Sequence, residues 1–411
     1  MPGMTVTKPL PGTGVEMIAP VEIAPLSVAD FEKRVRATDE MSVAPDMAFL
    51  GLFGEIGSLV SALKKKQRDR DAYFGYQRAV LEEVGDVLWY ASAFAHRGGT
   101  SLAEAASAAI MGRVPANHMT LGDIALTPEP VNERIFEDAL LELAGQAGDI
   151  AKRFAGGAHR DNPAAVCGDL VSLLRPLGKA ATASGISLDA AGHQNIKKTA
   201  SRWRAGADWP PLFDEGIDPD EQLPRLLRVE IYERDVNDKP FVFQKCNDIL
   251  IGDRLTDNHD PADDYRFHDV FHFAYAAILG WSPVTRALFK VKRKSFPALD
   301  ENQDGARAIL IEEGLTTWIF ETAKAHQLFG NTNQLGFDLL KAVSNFVVGY
   351  EPEDLPMWVW EQAILKGYKV FRQLKAARRG IIVADMRARD LRFEPLENVA
   401  GATESADHKT E

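Results

Sequence analysis

The chain has 411 residues, enough for two or three domains, and its 45% hydrophobic and 26% charged residues are those of a protein with a sizeable core. A net charge of −12 disfavours non-specific binding to nucleic acid or to a membrane surface. It leaves room for a phosphate-bearing small substrate, because local lysines and a metal ion can invert the field. Cys167 and Cys246 make no disulfide framework and fit a reducing compartment. No apolar run reads as long enough to span a bilayer and no signal peptide opens the chain, so the expected location is the cytoplasm.

Residues 1–25 hold repeated Pro and Gly with little periodicity and read as a flexible arm. Ser27 with Asp30 marks a helix start, and Phe31 and Val35 continue one face. A second helix is predicted from about Pro45 to Lys66, with Pro45 in its first turn. Residues 67–75 are charged, then aromatic, and turn the chain. A third helix runs from about Tyr76 to His96 and stops at Gly98-Gly99. Ser101 caps a fourth, alanine-rich helix that reaches about Arg113.

Glu55 on the second helix and Glu82, Glu83 and Asp86 on the third sit among apolar residues, including Leu52, Ile56, Leu59, Val80, Val84, Val87 and Leu88. Glu83 and Asp86, three apart, project from one helical face. Carboxylates on an otherwise buried face are costly unless paired or metal-bound, and a cluster of such oxygens suits a hard cation such as magnesium. The competing reading is a solvated helix face, which the flanking apolar residues oppose.

The run GEIGSLVSALKK followed by EEVGDVLWY resembles the MazG-type, all-α nucleoside triphosphate pyrophosphohydrolases, whose Glu-x-x-Glu on one helix and Glu-x-x-Asp on the next bind magnesium. The resemblance implies Glu55, Glu83 and Asp86 as metal ligands, with magnesium as the cofactor and manganese as the alternative ion. Where the pattern has its second glutamate, this chain has Ser58. The implied reaction is attack of water on the α-phosphorus of a nucleoside triphosphate, with one carboxylate left free of the metal, Glu55 or Glu82, as general base. Members of the family commonly dimerise, so a homo-oligomer is also expected. Lys64 and Lys65, in the basic run that continues through Lys66, Arg68 and Arg70, are candidates for the β- or γ-phosphate. Cations completing a helix C-terminus explain the same run. Phe53, Trp89 and Tyr90 are candidates for stacking on a base, or core aromatics at helical spacing.

The pattern then returns. Leu141 to Lys152 is in phase with the helix of Glu55, Cys167-Gly168-Asp169 echoes Val84-Gly85-Asp86, and Gly185 to Leu188 echoes Gly99 to Leu102. Three anchors in one order, offset by roughly 85–90 residues, read as a tandem repeat. Gln146 and Val166 stand where the first copy has Glu55 and Glu83, while Asp149 and Asp169 remain. Asn195-Ile-Lys-Lys198, followed by Arg202, resembles the Asn-x-x-Lys that ends the last helix of the MazG-type family. Asn195, Lys198 and Arg202 are therefore expected to bind substrate, with the two copies forming a pseudo-dimer around one composite site.

Around Trp209-Pro-Pro211 the helical pattern breaks. Arg228 to Glu233 and Phe241 to Phe243 then suggest a short β-hairpin, and helices resume from Asp264 through a long one at about Pro356 to Arg379. His268 and His272 stand at i and i+4 beside Asp269, and Glu312-Glu313 lies on a later helix. Together they are a candidate transition-metal site. The motif lacks the internal glutamate of HExxH, and a hydrogen-bonded pair of core histidines is the competing reading. The segment resembles the C-terminal extension of some MazG-like proteins.

The expected architecture is mainly α, with two tandem MazG-like four-helix-type bundles at 26–115 and 130–205, the second one degenerate. A linker at 206–225, a largely helical C-terminal domain with a short β-hairpin at 226–395 and a disordered tail at 396–411 complete it. The expected function is magnesium-dependent conversion of nucleoside triphosphates to monophosphates and pyrophosphate. The alternatives are a nucleotide-sensing or scaffolding protein, and a phosphohydrolase centred on His268 and His272.

Overall fold

The computed structural model describes residues 24–40, 45–125, 131–157, 159, 162–204, 206 and 208–396. Most of the expected N-terminal arm and the tail from residue 397 onward lie outside the described residues. The chain divides into two units, Met1–Thr199 and Ala200–Glu411.

The first unit is helical: α1 (Val28–Thr38), α2 (Pro45–Asp69), α3 (Tyr76–Arg97), α4 (Leu102–Ala109), α5 (Glu133–Ala155), α6 (Pro163–Ser184) and α7, which starts at Leu188. Local chemistry sets the helix starts. Ser27 accepts from Asp30 N, Ser101 and Glu104 form a reciprocal capping box, and Asn132 and Asn162 cap α5 and α6. Helix α4 ends short of the expected Arg113, because Met111 and Gly112 take positive φ (57° and 68°), which no α-helix continues. The helices of the two repeats follow in one order, α2–α4 and then α5–α7. They share a hydrophobic core in which Leu52, Ile56, Val84, Leu88 and Phe94 join Phe136, Leu140, Leu143, Leu170 and Leu177. Helix α2 packs on both α3 and α5.

Contrary to the sequence reading, residues 47–72 contain an 18-residue window, of mean hydropathy 1.4, that is long and apolar enough by length and composition to cross a membrane. Their apolar side chains have a use inside this unit. Leu52, Ile56, Leu59 and Leu63 recur at helical spacing and are buried in its core.

The second unit combines helices with an antiparallel sheet. The expected hairpin is its first pair, β1 (Leu226–Val236) and β2 (Lys239–Cys246), joined at Asn237 and Asp238, both at positive φ (51° and 60°). Asn and Asp tolerate that region, and the two-residue turn it makes matches strand twist. A second such turn at Asn247-Asp248 leads to β3 (Ile249–Leu255). Two strands from the far end of the chain, β4 (Arg379–Asp385) and β5 (Asp390–Glu394), complete the order β3-β2-β1-β4-β5. Between β3 and β4 lie α8 (Asp269–Ala274), α9 (Pro283–Phe289), α10 (Pro297–Asn302), α11 (Ala306–Lys324), α12 (Phe337–Phe346) and α13 (Met357–Ala377). Alternate residues Leu227, Val229 and Ile231 of β1 are buried with Phe271 of α8 and Tyr368 and Phe371 of α13. Helix α9 stops at Phe289, because Lys290 takes φ +61°, and Arg293 beyond it turns inward. Its guanidinium, fully buried, pairs with Asp304 at 2.7 Å and Glu351 at 2.6 Å.

Candidate functional site

Three helices of the first unit build a polar cluster in an apolar setting. Helix α2 supplies Glu55, α3 supplies Glu82, Glu83 and Asp86, and α7 supplies Asn195 and Lys198. Gly85 makes the crossing of α3 and α7 close: a Cβ there would lie 2.7 Å from the Ala191 carbonyl oxygen and 3.0 Å from Asn195 Cβ. With only hydrogen at that position, Asn195 Nδ2 donates to Asp86 Oδ1 at 2.7 Å. Lys198 Nζ donates to Asp86 Oδ2 at 2.5 Å and to Glu82 Oε1 at 2.9 Å.

Glu55, Glu83 and Asp86 each bring an oxygen within 4.8 Å of the others. Glu82 stands outside that trio, as its offset of about 100° from Glu83 around the helix requires, and Lys198 bridges it to Asp86. Burial, with the Asp86 and Glu83 charges adding to it, pushes the Glu55 carboxyl up to about 7. Burial likewise raises Glu83 and Asp86, in Asp86 against the opposing pull of Lys198. Burial also works to lower the Lys198 ammonium, but Asp86 and Glu82 outweigh it and hold that pKa above its ordinary range. Asn195 is buried, and its Oδ1 has no hydrogen-bond partner among the described residues.

The other candidates fall into place around this cluster or away from it. Lys64 and Lys65 are exposed, nine and ten residues along α2 from Glu55, roughly 14 Å by helical rise. The lysine that reaches the carboxylates is Lys198. The Arg202 guanidinium is engaged in the second unit by Glu361 Oε2 at 3.1 Å and by the Leu335 carbonyl at 3.0 Å. Trp89 belongs to the core and Phe53 is exposed. Tyr90 feels the site: burial first, then the Glu55 and Asp86 charges, raises its hydroxyl pKa.

Of the two acids kept in the second repeat, Asp149 pairs with Lys152 at the surface and Asp169 has a different fate. Asp169, buried on α6, is bound by both Arg153 and His159. The side chains of Arg153 and His159 therefore stand against Asp169 where the first repeat has a trio of carboxylates. The sequence reading missed these two partners. Arg153 in the last turn of α5 and an isolated His159 carry no motif that announces them.

The second unit brings together His268, Asp269 and His272, each with a ligand atom within 4.8 Å of the others. Glu313 Oε2 lies 3.4 Å from His272 Nε2 and 4.0 Å from His268 Nε2. Glu312, fully buried, accepts from His272 Nδ1 at 2.8 Å. Burial works to lower the His272 pKa, but the Glu312 and Glu313 charges outweigh it and hold it well above the usual imidazole range.

Fold and sites together describe a mainly helical protein with a carboxylate cluster in one unit and a histidine–carboxylate cluster in the other. Residues 208–397 match the family model of the MazG C-terminal domain. This C-terminal segment is thus similar to the MazG C-terminal domain. The carboxylate cluster lies N-terminal to the matched segment, and the histidine cluster lies within it. Searches of curated proteins and of solved structures return no match.

Proposed function

We propose that the first unit hydrolyses nucleoside triphosphates, ribo- or deoxyribo-, to the monophosphate and pyrophosphate, using Mg2+ or Mn2+ held by Glu55, Glu83 and Asp86. The observation that carries this reading is the convergence of three carboxylates from α2 and α3 with an amide and an ammonium from α7. The residues fit a hard divalent ion. Their oxygens are close enough for one ion to touch all three, and burial with mutual repulsion raises all three carboxyl pKa values despite the nearby Lys198. When bound, the ion supplies charge neutralisation and Lewis acidity for the phosphate chain.

The chain's own groups perform the rest. The general base is whichever of Glu55 and Glu82 the ion leaves free; Glu82 stands outside the trio, and burial with the neighbouring charges raises the Glu55 carboxyl to about 7 in the metal-free cluster. Lys198 fixes Asp86 and Glu82 and adds positive charge on the α7 side of the cluster. Asn195 orients Asp86 and keeps an acceptor oxygen for a donor on the ligand. The free thiols of Cys167 and Cys246 fit the same proposal in a cytoplasmic setting.

A second reading is supported by Ser58, one turn from Glu55 on α2, where the MazG-type pattern has a fourth carboxylate. On that reading the site binds a nucleotide without turning it over. One experiment separates the two: pyrophosphate release from a panel of ribo- and deoxyribonucleoside triphosphates with Mg2+, wild type against Glu83→Ala. Release that disappears in the variant supports hydrolysis in the first unit. No release with any substrate supports the sensing role, and release that survives in Glu83→Ala overturns the assignment of this site.

A further inference from the structure

The histidine cluster of the second unit is not used by the proposed hydrolysis, and its geometry is that of a built metal site. We infer that His268, Asp269, His272 and Glu313 bind one divalent transition-metal ion of the zinc, manganese and iron class, with Glu312 orienting His272 instead of ligating.

The hydrogen bonds of the two imidazoles carry most of the argument. His268 Nδ1 lies 2.9 Å from the Tyr265 carbonyl oxygen, and His272 Nδ1 lies 2.8 Å from Glu312 Oε1. Each acceptor holds the proton on Nδ1 and leaves the Nε2 lone pair for something else, as the outer partners of metal-bound histidines do. Glu312 is already satisfied as an outer partner, because it also accepts from Ser282 Oγ at 2.7 Å and Val284 N at 2.8 Å. Asp269 is held in the same way: Gln244 on β2 donates to its Oδ2, while Oδ1 faces His268 Nε2 at 3.3 Å. Tyr265 stacks on the His268 ring, centroids 4.4 Å apart, and fixes its plane.

What these partners hold in place is a set of donors facing one point. His272 is 1% exposed, and its Nε2 meets only Glu313 Oε2, at 3.4 Å and outside good hydrogen-bond geometry. A buried ring nitrogen so loosely partnered is costly, and a cation removes that cost. Donors about 2.0–2.2 Å from a tetrahedral ion stand roughly 3.3–3.6 Å from one another. Asp269–His268, Glu313–His272 and Glu313–His268 stand 3.3, 3.4 and 4.0 Å apart, and the His268, Asp269 and His272 donors lie within 4.8 Å of one another, so an ion has to draw some of them in. Two imidazoles with carboxylates suit zinc, manganese or iron better than copper(I) or an iron–sulfur cluster, which take thiolates. Glu313, the most exposed of the four side chains, gives the ion a way in.

A buried imidazolium held between Glu312 and Glu313 is the competing arrangement, and metal titration decides between them. The full-length chain is stripped with a chelator and titrated with Zn2+ and with Co2+ under excess Mg2+. Expected is one tightly bound ion per chain and a visible Co2+ absorption showing nitrogen ligation, both retained in Glu83→Gln. His268→Gln and Glu313→Gln, at the less buried side of the cluster, should each weaken binding at least tenfold. Glu312→Gln should weaken it about 10–100-fold while the Co2+ spectrum persists at saturation. Absence of uptake overturns the inference. So does binding that His268→Gln and Glu313→Gln leave unchanged, or that Glu83→Gln abolishes.

Discussion

Asn195 donates its side-chain amide to Asp86 Oδ1 at 2.7 Å, across a sequence separation of 109 positions. This bond joins the last helix of one repeat to the acidic helix of the other. In the second repeat, the matching acid Asp169 is bound instead by Arg153 and His159. On the proposed tandem reading the copies share the work, one keeping the carboxylates and the other the groups that position them. Asn195→Ala should lower pyrophosphate release about 10–100-fold, the range for losing a partner that orients a metal ligand. Steady-state assays with matched circular dichroism check it; normal turnover in a folded Asn195→Ala protein refutes the sharing.

Glu55 predicts a pH dependence with a definite sign. Its carboxyl is raised to about 7 in the fold from an ordinary 4.5, so the fold favours the neutral form. The associated stability is complete below about pH 4.5 and is lost as pH rises through 7. Metal-free wild type should therefore lose more thermal stability between pH 5.5 and pH 8 than Glu55→Gln does. His272, raised too, is common to both proteins and cancels in the comparison. Mg2+ should raise the Tm more at pH 8 than at pH 5.5, because protons compete for the same oxygens. Parallel Tm–pH curves for the two proteins would contradict the placement of Glu55.

Gly85 sets the distance between α3 and α7, and only backbone and a Cβ stand in the way of a side chain there. Neither can swing aside. Gly85→Ala should cost roughly 1–3 kcal/mol, the usual penalty for overpacking, and should break the Asn195–Asp86 bond. Gly57 on α2 is the control, because a methyl group added there would meet nothing within 4 Å. Gly57→Ala should stabilise by about 0.4–1 kcal/mol through the unfolded chain. Urea denaturation of both variants beside the pyrophosphate assay checks the pair; equal effects at the two glycines would remove Gly85 from the argument.

The acids were legible in the sequence because helical period alone places Glu83 and Asp86 on one face, and an apolar frame marks that face as buried. Asn195 and Lys198 became legible through the repeat and the family resemblance. Lys64 and Lys65 looked better placed only because sequence nearness to Glu55 runs along the α2 axis. Reaching the acids takes a crossing helix, and α7 provides it at Gly85. In the second unit, Arg379 to Asp385 follows the predicted end of a long helix and has no adjacent strand in the sequence to announce a hairpin before it. Its partner is β1, with Ile231 opposite Gly380, and pairing at that separation is invisible to local pattern. For the same reason the i, i+4 spacing revealed His268 and His272, whereas Gln244, reaching Asp269 from β2, did not show.

Ser58 is the clearest departure from the MazG-type pattern, and its position makes it testable. It lies three residues from Glu55, so both project from one side of α2, and it is half-buried. A carboxylate there adds a fourth anionic oxygen donor beside Glu55, Glu83 and Asp86. Charge count is one of the terms that tune hard-cation affinity. In Ser58→Glu the Mg2+ concentration for half-maximal activity should fall, with little change in nucleoside triphosphate preference. In the metal-free state the extra charge joins an already crowded cluster, so Tm at pH 8 should drop and recover on adding Mg2+. Calorimetric Mg2+ titration and the pyrophosphate assay, run on wild type and Ser58→Glu, give the decision. Activity in both proteins supports hydrolysis by the native trio. Activity confined to Ser58→Glu identifies the native first unit as a nucleotide-binding module.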